Sequence, residues 1–260
     1  MASSVSTKIF YEQPLNERVR TFLRLEFLFR QTRHHLAGPS PWDSRAALSS
    51  LLEILHIFGR GDLKTEAMKE LERHTGNLAR LERNPDVDRA RLGQILDELE
   101  GLIDRLHGMN GQAGRELAQN EFLSSLLQRS SIPGGTCDFD MPAYHFWLQK
   151  PPEERMRDVA AWLQNFDPIA QSVQLVLNLT RDSSRMRQER AEAGFFQKTL
   201  DSNTPCQLVR VAVPSSAPYF AEISGGRHRF TVRFMEMGSL DERATQTTED
   251  VEFEMACCVI

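Results

Sequence analysis

The hydrophobic period changes once along this chain, and that change constrains the fold more than any other feature. From residue 16 to about 184, apolar residues recur at three- and four-residue spacing, as on one face of a helix. From about residue 205 they alternate with polar residues, as on a half-buried strand. Helices first and strands last predict an α+β chain with segregated parts. The expected partition is a mainly helical domain at 15–200 and a smaller antiparallel β-strand domain at 205–258. A short strand at 8–13, "KIFYEQ", closed by Pro14, is available to join that sheet.

Within the first part, "NERVRTFLRLEFLFRQTRHHL" reads as a helix capped by Asn16, with Val19, Phe22, Leu23 and Phe29 in register. The loop "AGPSPWD" ends it. Further helices are expected at 44–58, 62–82, 86–106, 115–130, 153–166 and 167–184. The Pro- and Gly-rich stretch 131–152 reads as turns around a short strand and a short helix. Residues 185 to about 203 are polar and read as a loop. The strand candidates are "CQLVRVAVP", "YFAEIS", "RHRFTVRFM" and "VEFEMACC".

Several function classes find no support. No P-loop, G-x-S-x-G elbow, C-x-x-C or H-E-x-x-H occurs. "GMNGQAGRE" looks like a phosphate loop but follows a helix rather than a strand. His34 and His35 are adjacent on a helix, about 100° apart, and cannot share a metal comfortably. No metal, cofactor or catalytic group is therefore expected. The cluster Cys137, Asp138, Asp140 and His145 in "TCDFDMPAYH" would be the starting point of an enzyme reading. No run approaches the roughly 20 apolar residues of a membrane span, and the N-terminus lacks an apolar signal region. Four cysteines, two of them adjacent, suit reduced thiols in the cytoplasm better than a disulfide framework. The terminal "CCVI" has the form of a prenylation signal, but no polybasic segment precedes it and the residues before it alternate as a strand does.

The net charge is −5, so a large nucleic-acid surface is not announced. Basic residues nonetheless line up locally. In "GGRHRFTVRFMEM", period two sets His228, Phe230, Val232 and Phe234 on a core side, and Arg227, Arg229, Thr231 and Arg233 on the other. Arg229 and Arg233 then stand roughly 13 Å apart. No aromatic residue interleaves with them along the strand, which weighs against single-stranded nucleic acid. A row of guanidinium forks suits the carboxylates of an extended acidic peptide. Arg20 and Arg24 share a helix face one turn apart, and Glu17 can relieve Arg20. A solvated basic face is the plain alternative for both sets.

Five blocks carry a family resemblance: "YEQPLNERVRTFLRLEFLFRQ", "GRGDLKTEAMKELER", "SIPGGTCDFDMPAYHFWL", "ISGGRHRFTVRFM" and "FEMACC". Together, and in that order over about residues 9–258, they resemble the ZapD family of bacterial cell-division proteins. The resemblance implies a helical domain with a smaller β-strand domain, a symmetric homodimer, and no enzymatic activity. It implies binding to the short C-terminal tail of FtsZ, cross-linking of FtsZ protofilaments and stabilisation of the Z ring, in the cytoplasm at the division site. The matching basic positions are Arg20, Arg24, Arg60, His145, Arg229 and Arg233. A further basic position of the family is occupied by Glu121 here. Arg227 has no such match and reads as a rim charge. A nucleic-acid-binding protein using the same basic patch is the alternative.

Overall fold

The structure is a computed structural model and describes residues 7–109, 111, 113–201, 205–226 and 228–259. The chain divides into two compact units: Met1–Thr21 with Leu177–Ile260, and Phe22–Val176. The α+β reading holds, with helices in the earlier part, strands in the later part and a short strand near the N-terminus.

The first unit is a sandwich. Its strands are β1 (Lys8–Pro14), β2 (Arg187–Ala191), β3 (Phe195–Thr199), β4 (Cys206–Pro214), β5 (Tyr219–Gly225), β6 (Arg229–Glu236), β7 (Thr245–Gln246) and β8 (Val251–Val259). One antiparallel sheet runs β1-β4-β8-β2; the other runs β3-β6-β5, with β7 also paired to β6. Each sheet turns one alternating face inward, so Val209, Val211, Val213, Val251, Phe253 and Met255 meet Phe230, Val232 and Phe234 in one buried core. The ring of Phe253 lies 4.9 Å from that of Phe234 and 5.3 Å from that of Phe196, joining the two sheets.

The N-terminal strand does return: β1 pairs antiparallel with β4, Tyr11 opposite Val211 and Glu12 opposite Arg210. The Glu12 carboxylate accepts from Arg210 Nε at 2.9 Å and from Arg181 Nε and Nη2 at 2.9 and 2.8 Å. The terminal cysteines lie within β8, Cys257 opposite Val209 and Cys258 opposite Leu208, as the alternation required.

Two expectations fail here. The stretch read as a polar loop, 185–203, holds β2 and β3. They are joined by Ala193 (φ 46°) and Gly194 (φ 70°), the two left-handed residues of a primed hairpin turn. A Cβ on Gly194 would come within 2.6 Å of the Thr247 side chain, so only glycine fits. The second correction concerns His228. It is exposed, because β6 begins at Arg229 and the alternation does not extend back into the turn. Arg227 lies outside the described residues.

The other unit, Phe22–Val176, is helical. The helices are α1 (Glu17–Leu36), α2 (Pro41–Phe58), α3 (Leu63–Ala79), α4 (Arg89–Gly108), α5 (Arg115–Ala118), α6 (Glu121–Arg129), α7 (Pro142–Leu148), α8 (Pro152–Gln164) and α9 (Asp167–Asp182). Helix α2 starts inside the expected loop, because Ser40 and Asp43 form a reciprocal capping box with Pro41 in the first turn. The helix expected over 115–130 is two, since Asn120 caps a new start by accepting from Leu123 N. Among the described residues, 131–152 contains α7 but not the expected strand. Fully buried Phe22, Leu25, Leu48, Leu51, Ile54 and Phe166 carry much of the core, with Phe58 and Phe166 rings 4.6 Å apart.

One buried charge organises this unit. Arg155 is 3% exposed. Its guanidinium donates to Ser44 Oγ (3.0 Å), Pro39 O (2.8 Å), Leu148 O (3.2 Å) and Lys150 O. It thereby ties the start of α2 to the α7–α8 connection. A charge this deep is tolerable only with its donors satisfied.

Candidate functional site

Strand β6 places its basic residues as period two predicts. Phe230, Val232 and Phe234 are buried at 1%, 0% and 0%, while Arg229 and Arg233 are exposed on the opposite face. They line one open groove of about 530 Å³, together with Phe195, Gln197, Ser224 and Thr231. Register explains this lining. Phe195 of β3 and Glu222 of β5 flank Arg233, and Gln197 and Ser224 flank Thr231. Among the described residues, neither Arg229 nor Arg233 has an ion-pair partner within 4 Å, even though Glu222 stands opposite Arg233. Both guanidiniums therefore keep their donor forks open to solvent.

The groove contains one group that sequence reasoning missed. Phe195 is 38% exposed and lies on the same face as Arg233. Inspection of β6 alone finds no aromatic on the basic face, because the ring comes from the neighbouring strand. No local signal could reveal it, since an Ala-Gly turn does not advertise a hairpin as Asn-Gly does. The result is a short apolar platform beside a row of cations.

Arg20 lies in the same unit as these residues. Asn16 caps its helix by accepting from Val19 N at 2.9 Å and donates to Gln207 Oε1 at 2.5 Å. Leu15 N donates to Gln207 O, so the start of α1 is stitched to β4. A Cβ on Gly225 would meet Leu15 at 2.8 Å, which sets this junction against the β5–β6 end of the sandwich. Arg20 Nε sits 3.1 Å from Glu17 Oε1, the relief that the spacing predicted.

Arg24, Arg60 and His145 belong to the helical unit. Arg24 is exposed on α1, one turn beyond Arg20, with no ion pair among the described residues. Arg60 is exposed in the turn after α2. Helix α7 turns Tyr144, Trp147 and Leu148 inward. Trp147 donates to Asp158 at 2.9 Å, while the neighbouring Phe146 is exposed. His145 is not packed in that aromatic core. Its side chain is 45% exposed, with Nδ1 3.0 Å from Asp138 Oδ1. Asp138 also receives Arg45 Nη2 at 3.3 Å, and the Arg45 guanidinium lies over the rings of Trp42 and Tyr144 at 5.5 and 4.9 Å. Burial pushes the Tyr144 hydroxyl up to about 12, so it stays neutral. Cys137 points its thiol to Asp140 at 3.5 Å, and among the described residues no hydrogen bond joins it to His145. The cluster in "TCDFDMPAYH" is thus a pair of separate contacts rather than a nucleophile–base dyad. Glu121, where the family resemblance implied a basic residue, is the exposed first residue of α6.

Among the described residues, no helix is long and apolar enough to cross a membrane. A family model described as a cell division protein, ZapD, matches residues 23–233. The chain is 46% identical over 256 residues to the cell division protein ZapD of Methylococcus capsulatus, covering 98% of this chain and 100% of that one. It is 37% identical to ZapD of Coxiella burnetii, covering 98% and 100%, and 38% identical to ZapD of an Azoarcus species, covering 97% and 100%. With the family model matching most of its length and these relatives matching nearly end to end, the chain belongs to the ZapD family of cell division proteins.

Proposed function

We propose that this protein acts in cell division by binding the short C-terminal tail of FtsZ and, as a two-fold dimer, cross-linking FtsZ filaments at the division site. The observation that carries the reading is the open face of β6, where Arg229 and Arg233 stand without ion-pair partners along a groove that also exposes Phe195. Guanidinium forks spaced along a strand match carboxylates along an extended peptide, and the ring offers a seat for an apolar side chain between them. Arg20, Arg24, Arg60 and His145 are assigned supporting roles in tail recognition, on the strength of the family resemblance and of their exposure or partial exposure.

Two identical sites on a dimer are enough for bundling. A filament displays many tails, so weak single contacts add through effective concentration. The contacts are exposed and charge-assisted, so bundling weakens as salt rises and the Debye length falls below about 10 Å.

Titration of a fluorescent FtsZ tail peptide against the wild type, Arg229→Glu and Arg24→Glu tests the reading. Both variants should weaken binding while leaving the circular dichroism spectrum and the oligomeric mass unchanged. Sedimentation of filaments provides the second arm: bundles should form with intact FtsZ and not with tail-deleted FtsZ. Bundling that survives tail deletion overturns tail recognition. Salt-sensitive binding of single-stranded DNA at the same face, with no peptide binding, would instead support the nucleic-acid reading.

A further inference from the structure

Among the described residues, the three most exposed large apolar side chains of the helical unit gather in one region. Trp42 is 76% exposed, Phe139 84% and Phe146 70%. A polar clasp ties them together. The Arg45 guanidinium lies over the rings of Trp42 and Tyr144, and donates to Thr136 O at 3.2 Å and to Asp138 Oδ1 at 3.3 Å. Asp138 also holds His145 Nδ1 at 3.0 Å. Phe139 directly follows Asp138 in the chain, and Phe146 directly follows His145.

The rings cannot simply fold inward, because the inner side of α7 is full. Bonds from Met141 N to Cys137 O, at 3.0 Å, and from His145 N to Met141 O, at 2.9 Å, carry a helical path through the turn into α7. Along it Tyr144, Trp147 and Leu148 are buried, and the rings of Tyr144 and Trp147 pack on Phe122 at 6.1 and 5.7 Å. Phe139, Pro142, Ala143 and Phe146 are left as the exposed outer stripe, at the spacing of one helix face. The stripe is bulky at both ends and small at Ala143.

Area and charge indicate what covers this face. A large aromatic side chain carries about 150–250 Å², so the three rings expose roughly 350–550 Å² of apolar surface. Monomers rarely leave a patch of that size uncovered. A standard interface takes about 800 Å² from each partner, with aromatics enriched at its centre. The rings supply about half of that. The charges within the patch are already closed on one another, Arg45 and His145 both on Asp138. An acidic peptide would meet the Asp138 carboxylate here rather than a free guanidinium. Resting on the reading of this protein as a two-fold cross-linker, we propose that this face joins two copies of the chain about an axis beside Ala143. A bulky–small–bulky stripe is self-complementary under that rotation: the rings of one copy pack around the small position of the other. Because α7 is held by its buried side, the face is preorganised and little ordering cost attends association.

Sedimentation equilibrium on the full chain reads the association. The wild type should sediment as two chains. Phe139→Ser with Phe146→Ser should raise the dimer dissociation constant at least about a hundredfold, as the loss of central aromatics does. Both positions are exposed, so circular dichroism and thermal unfolding of the variant should be unchanged. Leu240→Ser, at a 92% exposed position of the other unit, is the control and should leave the dimer intact. Ala143→Arg and Ala143→Glu test the axis. Each alone sets like charges face to face and should weaken the dimer, and an equal mixture should restore it as a heterodimer. Tail-peptide titration separates this surface from tail recognition: the monomeric variant should keep its affinity per chain within about twofold and lose bundling. A wild type that sediments as one chain overturns both the surface and the dimer behind bundling. A dimer that survives the double Phe variant, or charge variants whose mixture behaves as either alone, overturns the surface only. Loss of peptide affinity in a double Phe variant that stays dimeric assigns the rings to the tail and also overturns it. Failure of the wild type to bind the peptide, with the dimer dissociating as expected, sinks tail recognition and leaves this face standing.

Discussion

Two pairs of arginines in the sandwich unit, one at each sheet, are held in opposite ways. At the β1-β4-β8-β2 sheet, Arg181 of α9 and Arg210 of β4 both close on Glu12 of β1, with side chains only 17% and 18% exposed. On the β3-β6-β5 sheet, Arg229 and Arg233 stand in solvent and pair with nothing among the described residues. Both sets come from alternating strands or their neighbours, so sequence pattern does not separate them. The difference is whether a carboxylate converges on them. A paired, half-buried guanidinium holds the fold, while an exposed, unpaired one costs little and remains available to a partner. The helical unit adds the extremes. Arg155 is buried with its donors satisfied by neutral acceptors, and His74 is buried with Nε2 lacking a partner among the described residues.

The contrast can be broken most sharply at Arg155. Arg155→Leu should destabilise the protein by about 3–5 kcal/mol in urea unfolding, because three carbonyls and Ser44 lose their donor at once. A cost near zero would mean the buried guanidinium is dispensable. His74 comes next, through pH. Burial, and then Arg73, lowers it from 6.5 to about 4. The unfolded chain therefore binds a proton that the folded chain refuses between those values. Stability should be level above about pH 6.5 and fall by about 3 kcal/mol on acidification to about pH 4. His74→Leu should flatten that part of the profile, read by thermal unfolding across pH.

Glu12→Gln is expected to cost about 2–3 kcal/mol, since it leaves two converging guanidiniums without their shared anion. The smallest effect should be at the open face. Arg229→Gln and Arg233→Gln should each change stability by within about 0.5 kcal/mol, as surface substitutions away from packed features do. If they unfold the protein as Glu12→Gln does, the distinction between the two pairs collapses.

These contrasts also explain what could be read from sequence. Strands β4, β6 and β8 were legible because inward residues recur every second position over eight or nine residues. Strand β2 was not: in "RQERA" only Ala191 is buried, and an edge strand with one inward anchor carries no period. The fault at His228 came from extending a real alternation one residue beyond its strand. In the candidate site, the exposure of Arg229 and Arg233 followed from β6 alone. The ring of Phe195 did not, because it arrives through the pairing of β3 with β6. The lone state of the arginines was equally hidden, as it depends on where Glu222 points rather than on its being present. In the helical unit, Asp138 shared by Arg45 and His145 required a turn and two helices to meet.

The pairing of β1 with β4 has a consequence in time. The first strand leaves the ribosome early, yet its partner ends at Pro214. At about 5–20 residues per second, roughly 10–40 s of synthesis separate the two. Through that interval "KIFYEQP" is a nascent strand without a sheet, and Glu12 a carboxylate without its arginines. The helices of Phe22–Val176 can form while it waits. The sandwich can close only when β8 arrives to lie beside β4. A protein built this way closes its β unit only after β8 has been made, with β1 held in reserve until then.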